Sequence, residues 1–374
     1  MSYQICSRCV MDSSDIEITF DGQGNCNHCN EFFEKRIFYK YQGEKTDIEF
    51  LKLIEKIKKA GKGKEYDCII GISGGVDSSY AVLIAKKVGL RVLGVHMDNG
   101  WNSEEAVLNI KSIADKLKID YESFVLDWNE IKDLQLSFLK ASVPEAETPT
   151  DMAIAGSLHR IASKYGVKYI ISGGNFVTEG ILPRTWHYNS KDMKYLNFIH
   201  RNFGKVKLKK FPTFGFLRES YYKLFKGIKM VYLLNYIDYS KDNSMEILKE
   251  DLDWRNYGGK HYESKYTGFI QSYYLFKKFG IDYRRATFSS QICTGDIARE
   301  DAIMQLKNLP FKDEKVIEEK KYIAKKLGIS VEEFEEIINL PPKWYFNYPN
   351  NQKLLKFIYN LYRKLFNKEK LASF

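Results

Sequence analysis

Residues 66–72 (YDCIIGI) are a near-continuous apolar run, the pattern of a strand covered on both faces. Residues 78–88 then suit a helix, closed by Gly89, and residues 91–97 (RVLGVHM) read as a second strand. The spacing predicts a helix over 103–118, a third strand over 121–126, a helix over 150–165 and a further strand over 168–172. Strands alternating with helices in this way imply an α/β fold with a doubly wound parallel sheet. Upstream, residues 47–60 place Phe50, Leu51, Ile54 and Ile57 at helical spacing, and Gly61 and Gly63 stop that helix. Beyond about residue 180 the alternation is lost. The chain turns rich in aromatics and lysine, then mainly helical, with helices expected over 313–327 and 331–339. A basic amphipathic helix follows over 351–367, with Leu354, Leu355, Ile358, Leu361, Tyr362 and Leu365 on one face.

With 374 residues, 44% of them apolar, the chain is long enough for two domains and a small appendage. No apolar run approaches the roughly 18 residues that span a bilayer. The stretch Met1 to Cys9 has no signal-peptide core. A cytoplasmic protein without a transmembrane segment is the expectation. The net charge of +10 is unevenly spread: Arg201 to Lys229 holds nine Lys or Arg against Glu219 alone, a net of +8. Such a stretch is either a solvated basic face or a surface for an anionic partner. Its interleaved aromatic and apolar residues favour docking of a partner subunit over nucleic acid, which is not expected as a ligand.

Four of the six cysteines form two pairs, Cys6/Cys9 and Cys26/Cys29, separated by 16 residues. Paired CxxC knuckles at this spacing fit a tetrahedral Zn²⁺ site of the zinc-ribbon type, with an iron–sulfur cluster as the lesser alternative. Four thiolates leave no open position, so the metal is structural, and His28 stays outside the ligand set. Cys68 sits in an apolar strand and reads as core; Cys293 lies in a polar stretch where a catalytic role stays open. Three regions result: a zinc-binding module over 1–45, an ATP-binding domain over 46–180, and a mostly helical region over 181–374 for substrate or partner.

The chemistry centres on Ser73-Gly74-Gly75-Val76-Asp77-Ser78-Ser79, between a buried strand and a helix. An open α/β sheet binds ligands beyond the carboxyl ends of its strands. Two glycines let backbone N–H groups approach an anion, and the helix N-terminus adds donors and a positive dipole end. Ser73, Ser78 and Ser79 offer hydroxyls, and Asp77 can cap the helix or help hold Mg²⁺. The Gly-Lys-Ser/Thr ending of a Walker loop is absent. Asp98 and the pair Gly173-Gly174 end neighbouring strands on the same edge and are further candidates for ATP contact, or plain turns.

The SGGVDS run at 73–78 resembles the signature of the PP-loop, or N-type, ATP pyrophosphatases, a HUP-like fold. That resemblance implies cleavage of ATP to AMP and pyrophosphate. The wider chain resembles the N-acetyl sugar amidotransferases of bacterial surface-glycan biosynthesis, through Cys6-Ser7-Arg8-Cys9-Val10-Met11-Asp12, Cys26-Asn27-His28-Cys29, Thr148-Pro149-Thr150-Asp151, Ile171-Ser172-Gly173-Gly174-Asn175, Gly258-Gly259-Lys260-His261-Tyr262-Glu263-Ser264 and Phe279-Gly280-Ile281-Asp282-Tyr283-Arg284-Arg285. The resemblance implies conversion of a sugar N-acetyl group to an acetamidino group through an O-adenylated intermediate, in O-antigen-type polysaccharide or nonulosonic-acid pathways. It also implies an N-acetylated, nucleotide-linked sugar as substrate. Ammonia would come from a partner glutaminase, with or without a channelling cyclase-like subunit. Lys260, His261, Arg284, Arg285 and Arg299 are candidates for binding pyrophosphate or an anionic sugar nucleotide, or are surface charges. Asp151 and Glu179 are candidates for orienting ammonia, Mg²⁺ or a ribose, with helix capping as the alternative for Asp151. The rival is a PP-loop tRNA-thiolating enzyme, which would use a second reactive cysteine or an iron–sulfur site. A zinc-ribbon binding protein with a degenerate nucleotide domain is a third reading, opposed by the intact loop.

Overall fold

The computed structural model describes residues 3–256 and 262–366. Lys260 and His261 fall outside the described residues. The chain opens with α1 (Asn27–Tyr39) and α2 (Glu44–Ala60). The alternating part runs β1 (Cys68–Gly71), α3 (Val76–Lys87), β2 (Val92–Asp98), α4 (Glu104–Leu117), β3 (Asp120–Val125), α5 (Trp128–Lys140), α6 (Thr148–Lys164) and β4 (Tyr169–Ser172). Then come α7 (Phe176–Glu179), α8 (Met193–Phe203), α9 (Phe216–Ser220), β5 (Lys229–Tyr232) and α10 (Lys241–Leu252). The rest is helical: α11 (Lys265–Phe269), α12 (Leu275–Phe279), α13 (Arg284–Thr294), α14 (Arg299–Leu306), α15 (Asp313–Leu327), α16 (Val331–Asn339) and α17 (Gln352–Phe366).

The five strands form one parallel sheet in the order β3-β2-β1-β4-β5. Successive residues of β1 point to opposite faces, which is why a continuous apolar run is required. Ile69 packs with Leu93, Ile170 and, from α6, Leu158 and Ile161. Ile70 packs on the other face with Val82 and Ala85 of α3 and Ile110 and Ile113 of α4. The sheet is thus covered on both sides, and truncating either isoleucine to Ala costs about 2–5 kcal/mol. The order reverses between β1 and β4, and a crevice opens there beyond the strand ends.

Two elements depart from the expected pattern. The fifth strand, β5, comes from beyond residue 180 and pairs Tyr169 with Lys229 through Ser172 with Tyr232. Its four residues, Lys-Met-Val-Tyr, are too short and mixed to announce a strand. The Arg201–Lys229 segment is also not one free basic face. Its first half is strapped to α5: Glu130 accepts from the backbone N–H of Lys209, Lys210 and Phe211, and Asp133 from those of Lys205 and Val206. Phe211 and Phe214 are buried there in a core with Phe138 and Tyr195. Helix α17 forms as expected, but its apolar residues divide: Leu355 is buried, whereas Leu354 and Leu361 are exposed. The side chains of Tyr362 and Leu365 lie outside the described residues. No described helix is long and apolar enough to cross a membrane.

Candidate active site

Helix α3 starts without a side-chain cap: Gly75 occupies that position in an extended conformation. The helices that follow, α4 and α5, are capped by Ser103 and Asp127. The first amides of α3 are therefore left for an anion from outside the chain. Gly74 has φ +81°, and a Cβ there would lie 2.5 Å from the carbonyl oxygen of Ala106. Only glycine meets both conditions. The Gly74 carbonyl accepts from Trp254 Nε1 at 2.9 Å and Asn109 Nδ2 at 3.2 Å, which pins the loop from behind.

Ser73 and Ser78 line this loop with their hydroxyl oxygens 3.1 Å apart. Ser79 does not join them. It is fully buried and donates to the Gly75 carbonyl at 2.6 Å, an acceptor it shares with the Ser78 hydroxyl at 3.1 Å; because of its full burial the expectation that it offers a hydroxyl to a phosphate is corrected. Gly173 is pressed against the same turn, since a Cβ there would lie 2.6 Å from the Ser78 nitrogen. A Cβ on Gly174 would stand 3.1 Å from Glu179 Oε2. Asp98 closes the turn after β2, accepting from Gly100 N at 2.8 Å and Asn102 Nδ2 at 3.0 Å. Asn102 also meets His96 Nε2 at 2.9 Å, and His96 Nδ1 bonds the Ile72 carbonyl at 3.0 Å. His96 therefore couples β2 to the phosphate loop.

Asp77 is not the cap. It lies within the first turn of α3, and the Tyr239 hydroxyl donates to it. The Tyr239 phenol is held protonated, first by burial and then by the charges of Asp77 and Glu179. The Tyr283 phenol is held protonated by burial and by Asp151, Glu179 and Glu147. Asp77, Glu179, Asp151 and Glu147 thus share one electrostatic neighbourhood at the carboxyl edge of the sheet. Asp151 does not cap α6, which begins three residues earlier at Thr148 with Pro149 in its first turn; it faces His187 Nε2 at 3.6 Å. Glu147, just before α6, has its carboxyl pushed up to about 8 by burial and by Asp151. Its Oε2 accepts from Thr267 Oγ1 at 2.8 Å, while its buried Oε1 has no hydrogen-bond partner. Glu145 is pushed up to about 8 by burial. Sequence reading passed over both, although Glu145-Ala-Glu147 directly precedes the Thr-Pro-Thr-Asp run. Hard carboxylate oxygens beside a phosphate loop fit Mg²⁺, with Asp77 and Glu179 as the pair that would hold it.

Arg284, Arg285 and Arg299 are corrected from anion ligands to structural ties. Arg284 is forked onto Asp282, with Nη2 at 2.6 Å from Oδ2, and bonds the Asn308 carbonyl at 2.7 Å. Arg285 pairs with Asp12 at 2.9 Å and bonds the Val10 carbonyl at 2.7 Å. Arg299 donates to the carbonyls of Cys6 and Cys9 at 2.9 and 3.0 Å. Arg285 and Arg299 clamp the helical region to the cysteine module, whereas Arg284 ties the start of α13 to the segment after α14.

In that module the four Sγ atoms lie within 4.8 Å of one another, fully buried. The separations Cys6–Cys29, Cys9–Cys26 and Cys26–Cys29 are 3.7, 3.6 and 3.6 Å. A tetrahedron with metal–sulfur bonds of about 2.3 Å has edges of about 3.8 Å, so the set fits Zn²⁺. Backbone N–H groups of Arg8, Cys26 and Cys29 point at the sulfurs, as thiolates require. His28 is turned away onto Asp15 at 2.6 Å. The other two cysteines are not poised to react. Burial raises the Cys68 thiol and pushes Cys293 up to about 12, and a thiol is no nucleophile at such values.

Comparison with known proteins agrees with this geometry. Residues 48–167 match the NAD synthase family model, and residues 263–365 match a model described as LPS biosynthesis protein WbpG-like, C-terminal domain. The first match, over β1 to β3 and the uncapped loop, points to a PP-loop protein that uses ATP. Together, the two matches support a WbpG-like PP-loop family of lipopolysaccharide biosynthesis. An uncharacterized protein of Methanocaldococcus jannaschii is 23% identical over 80% of this chain and 92% of its own length. A tRNA-specific 2-thiouridylase of Fusobacterium nucleatum is 26% identical over 50% of this chain, which spans about half (51%) of that relative. Among solved structures, the NMN synthetase of Francisella tularensis aligns over 79% of this chain and 98% of its own, at 13% identity and TM-score 0.36.

Proposed function

We propose that the protein is an ATP-dependent amidotransferase that converts the N-acetyl group of a nucleotide-linked sugar to an acetamidino group, for a bacterial surface glycan such as O-antigen. The observation that carries the reading is an uncapped SGGVDS helix start at the β1/β4 switch point in a chain with a WbpG-like C-terminal part. An acetamide carbon is a poor electrophile. In the proposed reaction its oxygen attacks the α-phosphorus of ATP, the bond to pyrophosphate breaks, and the nitrogen proton is lost. Ammonia then adds to the imidate carbon, and the carbon–oxygen bond to AMP breaks.

The chain's own groups fit these demands. The α3 amides and the Ser73 and Ser78 hydroxyls face the pyrophosphate that departs. Bound Mg²⁺ would neutralise charge on the phosphates. The carboxylate of Asp151 can attract and orient the incoming nitrogen, while Glu179 is left to the metal. Ammonia is supplied by a separate glutaminase. The buried Cys68 and Cys293 thiols weigh against the tRNA-thiolation alternative. The deciding assay supplies ATP, ammonium and N-acetylated nucleotide sugars and separates the products. AMP and pyrophosphate with an amidine product support the reading; ADP as the main nucleotide product rejects it.

A further inference from the structure

One helix of this protein is folded inside out. From Phe216 to Phe225 the chain runs through α9 into a single π turn, closed by Lys226 N donating to the Tyr221 carbonyl at 3.2 Å. Leu217, Tyr221, Leu224 and Phe225 fall at i, i+4, i+7 and i+8, the spacing of one helical stripe. Such a stripe ordinarily faces the core. Here Leu217 is 81% and Phe225 80% exposed, while Glu219 on the opposite side is 5% exposed. The buried carboxylate is fixed by Lys191 at 2.9 Å, Lys223 at 2.7 Å and the Tyr359 hydroxyl at 2.9 Å. Three partners hold the acid inward and so force the apolar stripe outward.

Tyr359 belongs to α17, which lies alongside: its ring meets Phe216 edge-on at 6.0 Å. Helix α17 repeats the arrangement. Leu355 turns inward, and Leu354, Phe357 and Leu361, at i, i+3 and i+7, are exposed. Around the two stripes the charges have one sign. Arg218, Lys223, Lys226, Lys229, Lys353 and Lys356 belong to these segments, and the one acid in 216–229 or 352–361 is the buried Glu219. The cavities of about 250 and 490 Å³ lie elsewhere, against the cysteine module.

We infer that the face formed by Phe216–Phe225 and α17 docks on an anionic lipid surface, with Leu217, Leu224, Phe225 and Phe357 entering the acyl boundary and the flanking lysines meeting lipid headgroups. Exposed apolar side chains interspersed with cations, with the buried Glu219 as the one acid among residues 216–229 and 352–361, match the interfacial helix. The inference does not depend on the reaction catalysed.

The test sediments the full chain with vesicles of mixed phosphatidylglycerol and phosphatidylcholine, and with phosphatidylcholine alone. Pelleting with the anionic vesicles is expected, weakened about tenfold by Leu217→Asp with Phe225→Asp and several-fold by Lys226→Glu with Lys356→Glu. Leu217, Phe225 and Lys356 are exposed and Lys226 is half-buried, so thermal unfolding midpoints should stay close to the wild-type value. Phe225→Trp keeps the apolar character, and its fluorescence should shift to the blue with anionic vesicles. Failure to pellet with anionic vesicles, or equal pelleting of the wild type and the double Asp variant, overturns the inference. So does loss of a glutaminase complex in the double Asp variant while the wild type ignores vesicles, which would assign the face to a protein.

Discussion

The indole of Trp254 donates to the carbonyl of Gly74 across 180 residues of sequence, at 2.9 Å. This bond ties the segment after α10 to the back of the phosphate loop, where it fixes the peptide whose neighbours meet ATP. Trp254→Phe keeps the ring packing and removes the donor. A buried hydrogen bond of this kind contributes about 1 kcal/mol, and its loss leaves the loop less ordered before ATP arrives. KM for ATP should rise about fivefold, with a small change in melting temperature. Steady-state measurement of AMP release checks it.

The two serines at the start of α3 should separate. Ser78 lines the loop beside Ser73, so Ser78→Ala should lower turnover about tenfold or more, with a smaller loss of stability from its bond to the Gly75 carbonyl. Ser79 is buried and bonded to Gly75, so Ser79→Ala should lower the melting temperature and affect turnover less. Gly74→Ala should abolish turnover, because the added Cβ meets the Ala106 carbonyl and the φ is left-handed. Equal effects of the two serine changes on turnover would contradict this assignment.

The pH dependence of stability follows from Glu145 and Glu147. Burial raises both folded-state values to about 8, above the ordinary 4.5. Between those values the folded state holds protons that the unfolded state has released, so stability falls as pH rises. It is fully present below about 4.5 and lost as pH passes through about 8. Denaturant midpoints measured from pH 5 to pH 9 should decline, and Glu147→Gln should flatten part of that slope. A midpoint that climbs over this range would refute the assignment.

Metal content offers a separate check. The four-sulfur set predicts one zinc per chain, and Cys6→Ser should release it and destabilise the molecule. Arg299→Ala leaves all four sulfurs but removes two bonds to the Cys6 and Cys9 carbonyls. It should speed zinc loss to a chelator without changing stoichiometry. Unchanged release kinetics would show that Arg299 does not support the site.

Much of this architecture could be read from the chain. The apolar run of β1, its two glycines and the helix beyond announce a phosphate loop because each is a local signal. The four cysteines were legible for the same reason, since two short spacings encode one tetrahedron. The arginines were not. Charge and neighbourhood made Arg284, Arg285 and Arg299 look like anion ligands, but their partners, Asp282, Asp12 and the carbonyls of Cys6, Cys9 and Val10, are mostly remote in sequence. Trp254 and Tyr239 were missed because they sit in irregular stretches and act only through tertiary contact. Leu354, Leu355 and Leu361 were read as one face, yet only Leu355 is buried, because periodicity gives the existence of an apolar stripe and not which of its residues meet the core.

The clamp on the cysteine module also sets an order of assembly. Cys6 and Cys9 are made first, yet Arg299, which holds their carbonyls, follows 290 residues after Cys9. Ser289, which accepts from Val10 N at 3.2 Å, is almost as late. At roughly 5–20 residues per second, a ribosome takes from about a quarter of a minute to a minute to cover that distance. Throughout that interval the nascent thiols have no lid. The cysteine module is therefore not fully closed until α14 has been made.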